Sequence, residues 1–357
     1  MKIKKDELKQ ILNKLKPVSL KDDLLVENFL GQLIFSEDGI SIFNDQTYIF
    51  YPIDTNLDCI ISYTKLLNFI TKTSGKFIKI TQTTEKEKKD KIVISCGKAK
   101  LSLNPLLLND MDKKTIGEIR KKFEDGEFDA IPEGFSEGIA ACSHSTSTDP
   151  ADGTKTCICI NGDVIIGADN SRVAQYTMES EFPDIEGSVL ISSDLSSMVS
   201  KFKAIEFKVA DAWLIFKDEG DCLLSLRRIR GKYSLNKYKG LFDSFDVGVK
   251  IDLPEEINRI VDLINTMVSE TNYTDRYLII KLEDNILLLS SSSESAKIEE
   301  KIKVEYKGQS FNFSINPNSL QQALQVVGSN VIEKNKEGRM VRLQTENFKQ
   351  LIALKMM

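Results

Sequence analysis

The sequence predicts an α+β protein in which one helix-and-sheet unit occurs three times, and three observations predict it. First, Ile61 to Ile70, Ile191 to Val199 and Ile315 to Leu324 share one pattern: an apolar strand end, a small polar residue, then apolar residues at helical spacing. Ser62, Ser192 and Asn316 hold the position where a side-chain oxygen accepts an orphan amide at a helix start, and they stand 130 and 124 positions apart. Second, the first two of these helices are each followed by an alternating strand, Lys76 to Ile80 and Ile205 to Val209. Third, the strand-to-turn segments Ile40 to Tyr48 and Val164 to Arg172 lie 124 apart. Self-similarity at a fixed period marks a repeated architecture.

In chain order, each unit opens with a helix, predicted at Lys5 to Leu15, at Glu133 to Cys142 and at Pro254 to Val268. The last carries Ile257, Ile260, Val261, Leu263 and Ile264 on one helical face. The polar, charged stretch Asn109 to Glu127 and the stretch Gly240 to Asp246 read as connectors. Breaks near 125 and 246 follow, giving domains 1–125, 126–246 and 247–357. Short strands alternating with two helices per unit favour α+β over a parallel α/β sheet.

The 357 residues are 41% hydrophobic and 28% charged, ordinary globular usage that excludes a fibre or a disordered chain. A net charge of −5 excludes a protein that coats nucleic acid by bulk charge. No apolar run reaches the ~18 residues a membrane span needs, and the lysine-rich start leads into a charged amphipathic stretch, so a cytoplasmic protein with no membrane partner is expected. Six scattered cysteines do not make a disulfide scaffold, and Cys157-Ile158-Cys159 has no second pair and one His in the whole chain to complete a zinc site.

Gly134-Phe135-Ser136-Glu137-Gly138 matches the G-x-S-x-G nucleophile elbow. That motif needs a strand ending at Ser136 and a distant downstream base, whereas His144 is eight residues on. A helix face of small residues is the plainer reading. P-loop, dinucleotide and zincin signatures are missing, and Asp149, Asp152 and Gly153 lack the later Glu of a calcium loop, so no cofactor and no metal are expected.

Basic residues cluster. Lys2, Lys4, Lys5, Lys9, Lys14 and Lys16 outnumber Asp6 and Glu7; Lys65, Lys72, Lys76 and Lys79 stand without an acid; so do Arg227, Arg228, Arg230, Lys232, Lys237 and Lys239. Any one run reads as a solvated face; clustering on helices that recur in each repeat shifts the balance toward a phosphate-facing surface. Two strands read as edges open to another chain: Lys98 to Leu103, whose alternation puts both lysines on one face, and Ile298 to Tyr306, apolar at Ile298, Ile302, Val304 and Tyr306 with Glu299 and Glu300 beside them.

These residues resemble a known family, the bacterial DNA polymerase III beta sliding clamp. Gly97 to Leu103 followed by Pro105 is similar to its basic edge strand, Asp169-Asn170-Ser171-Arg172-Val173-Ala174 to its Asp-Gly-His-Arg-Leu-Ala turn, and Ile315-Asn316 with Ser319-Leu320 to its Phe-Asn-x-x-Tyr-Leu. The chain departs from the pattern at Asn170 and Ser171, and it lacks the family's terminal Met-Pro pair.

The resemblance implies three clamp domains per chain, helices on an inner and antiparallel sheets on an outer face, forming half of a ring. Two chains then encircle duplex DNA without reading its sequence. Implied partners are a DNA polymerase, a clamp loader and other replication or repair proteins carrying clamp-binding peptides. The peptide pocket falls on Ala168, Asn170, Arg172, Val173, Asn316, Ser319, Met340, Leu351, Ile352 and Leu354. Lys9, Lys14, Lys21, Lys65, Lys72, Lys201 and Lys203 would face DNA; Lys98, Lys100, Leu101 and Leu103 would meet Ile298, Glu299, Glu300 and Ile302 of a second copy. For Arg172 a structural ion pair is the alternative to the pocket rim. The competing functions are a serine hydrolase using Ser136 and a multidomain scaffold that never encloses DNA.

Overall fold

Ten elements recur three times in the same order. The structure, a computed structural model, describes all residues except 20–28, 86–87, 105–113, 115, 119–120, 122, 124–125, 184–186, 211, 268–275, 294–296, 307, 309 and 356–357. The first repeat runs β1 (Lys2–Lys4), α1 (Lys5–Leu15), β2 (Leu33–Ser36), β3 (Gly39–Phe43), β4 (Thr47–Pro52), β5 (Cys59–Ile61), α2 (Tyr63–Lys72), β6 (Phe77–Glu85), β7 (Lys88–Cys96) and β8 (Ala99–Leu103). The second runs β9 (Asp129–Ala130), α3 (Phe135–Ser143), β10 (Cys157–Asn161), β11 (Val164–Ala168), β12 (Arg172–Thr177), β13 (Val189–Ser192), α4 (Ser193–Phe202), β14 (Glu206–Ala210), β15 (Trp213–Lys217) and β16 (Leu223–Arg227). A further helix, α5 (Leu235–Asp243), precedes the third: β17 (Val247–Asp252), α6 (Ile257–Met267), β18 (Leu278–Glu283), β19 (Ile286–Ser292), β20 (Lys297–Lys303), β21 (Phe311–Ile315), α7 (Pro317–Val327), β22 (Val331–Asn335), β23 (Met340–Gln344) and β24 (Phe348–Ala353).

Strand pairing repeats as faithfully. Each repeat forms one set ordered β1-β6-β7-β8, recurring as β9-β14-β15-β16 and β17-β22-β23-β24, and one ordered β5-β2-β3-β4, recurring as β13-β10-β11-β12 and β21-β18-β19-β20. Antiparallel seams fuse four of these six sets: β4 pairs with β16 and β12 pairs with β24, making two eight-stranded sheets. Contacts therefore group the chain into two compact units that cut across the repeat boundaries, Met1–Ile131 with Lys201–Arg228, and Pro132–Ser200 with Ile229–Met357.

In the first unit, α1 and α2 bury Leu8, Ile11, Leu12, Leu15, Leu66 and Ile70. The Tyr63 hydroxyl locks them together by donating to the Leu12 carbonyl at 3.0 Å. Ser62 caps α2 as predicted, its side chain accepting from the Lys65 amide at 3.3 Å. In the second unit α6 buries Ile257, Ile260, Val261 and Ile264, and α7 buries Leu320, Ala323, Leu324 and Val327. Gln321 bridges them, accepting from Asn265 at 2.7 Å and donating to Asp262 at 3.0 Å. Asn316 caps α7, accepting from the Ser319 amide at 3.1 Å.

One expectation needs correction. Gly240 to Asp246 is not wholly a connector, because α5 extends to Asp243. Leu235, Tyr238, Leu241 and Phe242 fall on one helical face, and burying that stripe outweighs Gly240 near the helix end. The G-x-S-x-G string does form a small-residue helix face: Ser136 sits in the first turn of α3 with no strand running into it, and a Cβ at Gly138 would come within 2.6 Å of Ile165 and 2.7 Å of Tyr176.

Candidate functional site

At the β12–β24 seam Val173 stands opposite Leu351 and Arg172 opposite Ile352. Alternate strand residues face opposite sides, so Val173 and Leu351 share one face while Arg172 and Ile352 share the other. α5 lies on the Val173 face, with Tyr238 packed against Val164, Ile166, Ala168, Val173, Phe245 and Leu351. Leu241 and Met340 are only partly covered. A groove of about 160 Å3 remains, lined by Lys155, Asp169, Asn170, Ser171, Arg172, Val173, Lys237, Tyr238, Leu241, Met340, Leu351 and Ala353.

The β11–β12 turn builds the groove's polar end. Asp169 accepts from the Ser171 amide at 2.7 Å and the Arg172 amide at 2.9 Å, an Asx turn that fixes the backbone. Its second oxygen accepts from Arg172 Nε at 2.9 Å, and Arg172 Nη1 donates to Gln322 of α7. Arg172 is thus a buried ion-pair residue whose atoms also form an end wall of the groove. Burial, aided by this guanidinium, pushes the His144 imidazole down to about 4 and keeps it neutral at neutral pH. Beside the turn, Lys155 donates to Asn170 Oδ1 at 2.5 Å and pairs with Asp152 at 3.6 Å, and Asp152 also accepts from Ser147 at 2.6 Å. The Ser147 hydroxyl and the Asn170 side-chain amide, which donates to both Asp152 oxygens at 3.1 Å, hold the Asp152 carboxyl below the usual carboxylate range.

Of the residues expected here, Asn170, Arg172, Val173, Met340 and Leu351 line the groove. Ala168 lies in the core beneath it, and Ile352 is fully buried on the opposite face. Asn316 and the fully buried Ser319 make the α7 cap, and half-exposed Leu354 follows β24, its amide bonded to the Arg339 carbonyl at 2.8 Å. Lys237, Tyr238 and Leu241 were missed, although the apolar spacing from Leu235 to Phe242 is a helical signal.

The two expected edge strands are edges: β8 ends one four-stranded sheet and β20 ends the other. Lys98 lies in the β7–β8 turn, so it does not share a strand face with Lys100. Leu101 and Leu103 are half-buried and Lys100 is exposed. β20 stops at Lys303, short of Val304 and Tyr306. Its Ile298, Glu300 and Ile302 share the half-buried face, and Glu299 lies on the other. Glu300 is taken by Arg259 of α6 at 2.5 Å; Glu299 sits between Lys301 at 3.3 Å and Lys297 at 3.5 Å, which hold its carboxyl below the usual range. Leu263 and Met267 of α6 are exposed.

Lys65, Lys72, Lys201 and Lys203 are exposed, and Lys9 is half-buried. Lys14 is bonded to Asp218 at 3.0 Å and lies over the Tyr51 ring, and Lys21 falls outside the described residues. Helices α3, α6 and α7 carry no lysine, so the basic residues of the helices belong to α1, α2, α4 and α5 and do not recur on every repeat.

Comparison with known proteins gives first a class. The whole chain has the fold of DNA sliding clamps. The beta subunit of DNA polymerase from Streptococcus pyogenes superposes with a TM-score of 0.77 at 15% identity, covering 100% of this chain and 99% of that one. The Thermotoga maritima DNA polymerase III beta subunit gives 0.75 at 13%, and a Helicobacter pylori beta clamp bound to a DNA ligase peptide gives 0.75 at 14%, both with the same coverage. Within the third repeat, residues 249–352 match the family model of the DNA polymerase III beta subunit, C-terminal domain. No curated protein matches the chain by sequence.

Proposed function

We propose that the protein is a DNA sliding clamp, a non-catalytic processivity factor. Two copies close a ring around duplex DNA, and the groove at the β12–β24 seam holds peptides of replication proteins. One observation carries the reading. The seam that joins β4 to β16 and β12 to β24 has a third, unfilled instance. β20 is the third repeat's counterpart of β4 and β12, and β8 is the first repeat's counterpart of β16 and β24. Pairing β20 of one copy with β8 of the next, twice, removes both edges by two-fold symmetry.

Backbone pairing and apolar contact of Leu101 and Leu103 with Ile298 and Ile302 carry that junction, with exposed Leu263 and Met267 adding area beside it. Lys98 and Lys100 contribute little register, because Glu299 and Glu300 already have cationic partners. The repeats correspond to domains 1–125, 126–246 and 247–357. Lys9, Lys65, Lys72, Lys201 and Lys203 attract phosphates without reading bases, giving weak, salt-dependent contact that lets the ring slide. Enclosure replaces affinity, and the net charge of −5 discourages DNA elsewhere. Polymerase, a clamp loader and repair proteins are the partners for the groove. The site of action is the cytoplasm; among the described residues no helix is long and apolar enough to cross a membrane.

The test is to load the protein on nicked circular DNA and then cut the circle. A ring slides off the new ends, so retention falls to background. Retention unchanged by cutting means direct contact and sinks the proposal.

A further inference from the structure

We propose that the groove selects peptides whose apolar anchors are flanked by carboxylates, and that Lys237 sets this preference. The inference rests on the reading of the groove as a peptide site. Its floor is apolar, formed by Val173, Tyr238, Leu241, Met340 and Leu351, and has room for one or two side chains. The charges around that floor are not balanced. Asp169 is the carboxylate of the lining, and Arg172 takes it up at 2.9 Å, so it neither repels an acidic ligand nor attracts a basic one. Lys155 is partly satisfied by Asp152 at 3.6 Å.

Lys237 is different: it is exposed on α5, and no Asp or Glu occurs from Cys222 to Phe242, so the adjacent turns of its own helix offer no counter-charge. Its surroundings add to the imbalance. Lys239 is exposed on the same helix. Thr154 donates to the Lys232 carbonyl at 3.3 Å, which holds the exposed Arg230–Lys232 segment next to Lys155. Cations therefore gather about an apolar trough whose one carboxylate is already paired. A ligand that fills the trough with apolar side chains and places a carboxylate by Lys237 satisfies both. Duplex DNA offers phosphates but no apolar group to occupy the floor, so a peptide is favoured.

Fluorescence anisotropy on the full chain tests this with three labelled decapeptide pools that share fixed Leu and Phe anchors and carry Glu, Gln or Lys at the flanking positions. At low salt the Glu pool should bind about five-fold tighter than the Gln pool and the Lys pool weakest, the size expected of an exposed ion pair. Lys237→Glu, at an exposed position that leaves folding intact, should reverse the order, and Met340→Glu should weaken all three. Equal affinities for the pools, or an unchanged order in Lys237→Glu, would overturn the charge preference while anchors still bind. Binding untouched by Met340→Glu would instead show that the groove is not the peptide site. Displacement of the Glu pool by a short DNA duplex, equally from wild type and Met340→Glu, would assign the cations to nucleic acid and also overturn the proposal.

Discussion

The two seams use one topology but differ in what covers them. Over the β4–β16 seam, aromatic residues fill the space: Phe123 is fully buried with ring centres 5.1 Å from both Tyr48 and Trp213, and Phe43 contacts Phe29 and Trp213. Over the β12–β24 seam, α5 brings Tyr238 but leaves Leu241 and Met340 half-covered, and a groove stays open. The strand pairing is equivalent, so the sheet does not make the site. What is laid across the sheet decides whether a seam is filled or left as an open groove.

The comparison breaks if the filled seam tolerates emptying. Phe123→Ala should cost about 3–5 kcal/mol in chemical denaturation, from lost transfer energy plus a cavity, whereas Leu241→Ala at the open seam should cost about 1 kcal/mol or less. Equal losses would mean that the groove residues are core. The buried surroundings of the second seam also carry a pH signature. The folded pKa of His144, about 4, lies below its ordinary 6.5, so the unfolded chain takes up the proton first. Stability is complete above about pH 6.5 and falls as pH drops toward 4, by on the order of 3 kcal/mol. His144→Gln should flatten that slope in urea titrations between pH 4 and 7; an unchanged slope would assign it to other groups.

Gln350 sharpens the contrast further. It pairs across the second seam with Ala174, and both polar atoms of its fully buried side chain find no hydrogen-bond partner among the described residues. Gln350→Met should raise stability by about 1 kcal/mol; a loss would point to a buried water bonded there. The smallest effect concerns the turn charges. Asp169 and Asp218 each accept two backbone amides of a tight turn and hold a cation, but Arg172 is buried and Lys14 is about half exposed. Burial is the largest influence and works against the Lys14 ammonium, yet the Asp218 hydrogen bond together with the nearby Cys222, Asp218 and Tyr51 groups outweighs it and raises its pKa. Lys14→Met should cost only about 0.5 kcal/mol, and less in high salt.

Much of the fold was legible because it is local. Ser62 and Asn316 announce helix starts through their own side chains, and the apolar spacing of Lys5–Leu15 marks α1 to its ends. The threefold recurrence needed no knowledge of pairing partners. The site was half legible: the Asp169 turn shows in sequence because its hydrogen bonds span three residues. Tyr238 and Leu241 join Val173 and Leu351 only through the fold, across sequence separations that no periodicity encodes. Asn316 and Ser319 illustrate the complementary point, since their cap hydrogen bond is local to the start of α7 and they are not among the residues that line the groove. The Arg259–Glu300 pair at the β20 edge was not legible because the two residues lie 41 positions apart.

The central claim is that a junction used twice within the chain is used a third time between chains. Sedimentation equilibrium of the wild-type chain and of Leu101→Glu, at micromolar concentration, tests it most directly. The wild type should sediment at twice 40.3 kDa and the variant at 40.3 kDa with its fold intact by circular dichroism. A wild-type monomer, or a variant that still dimerises, would contradict it.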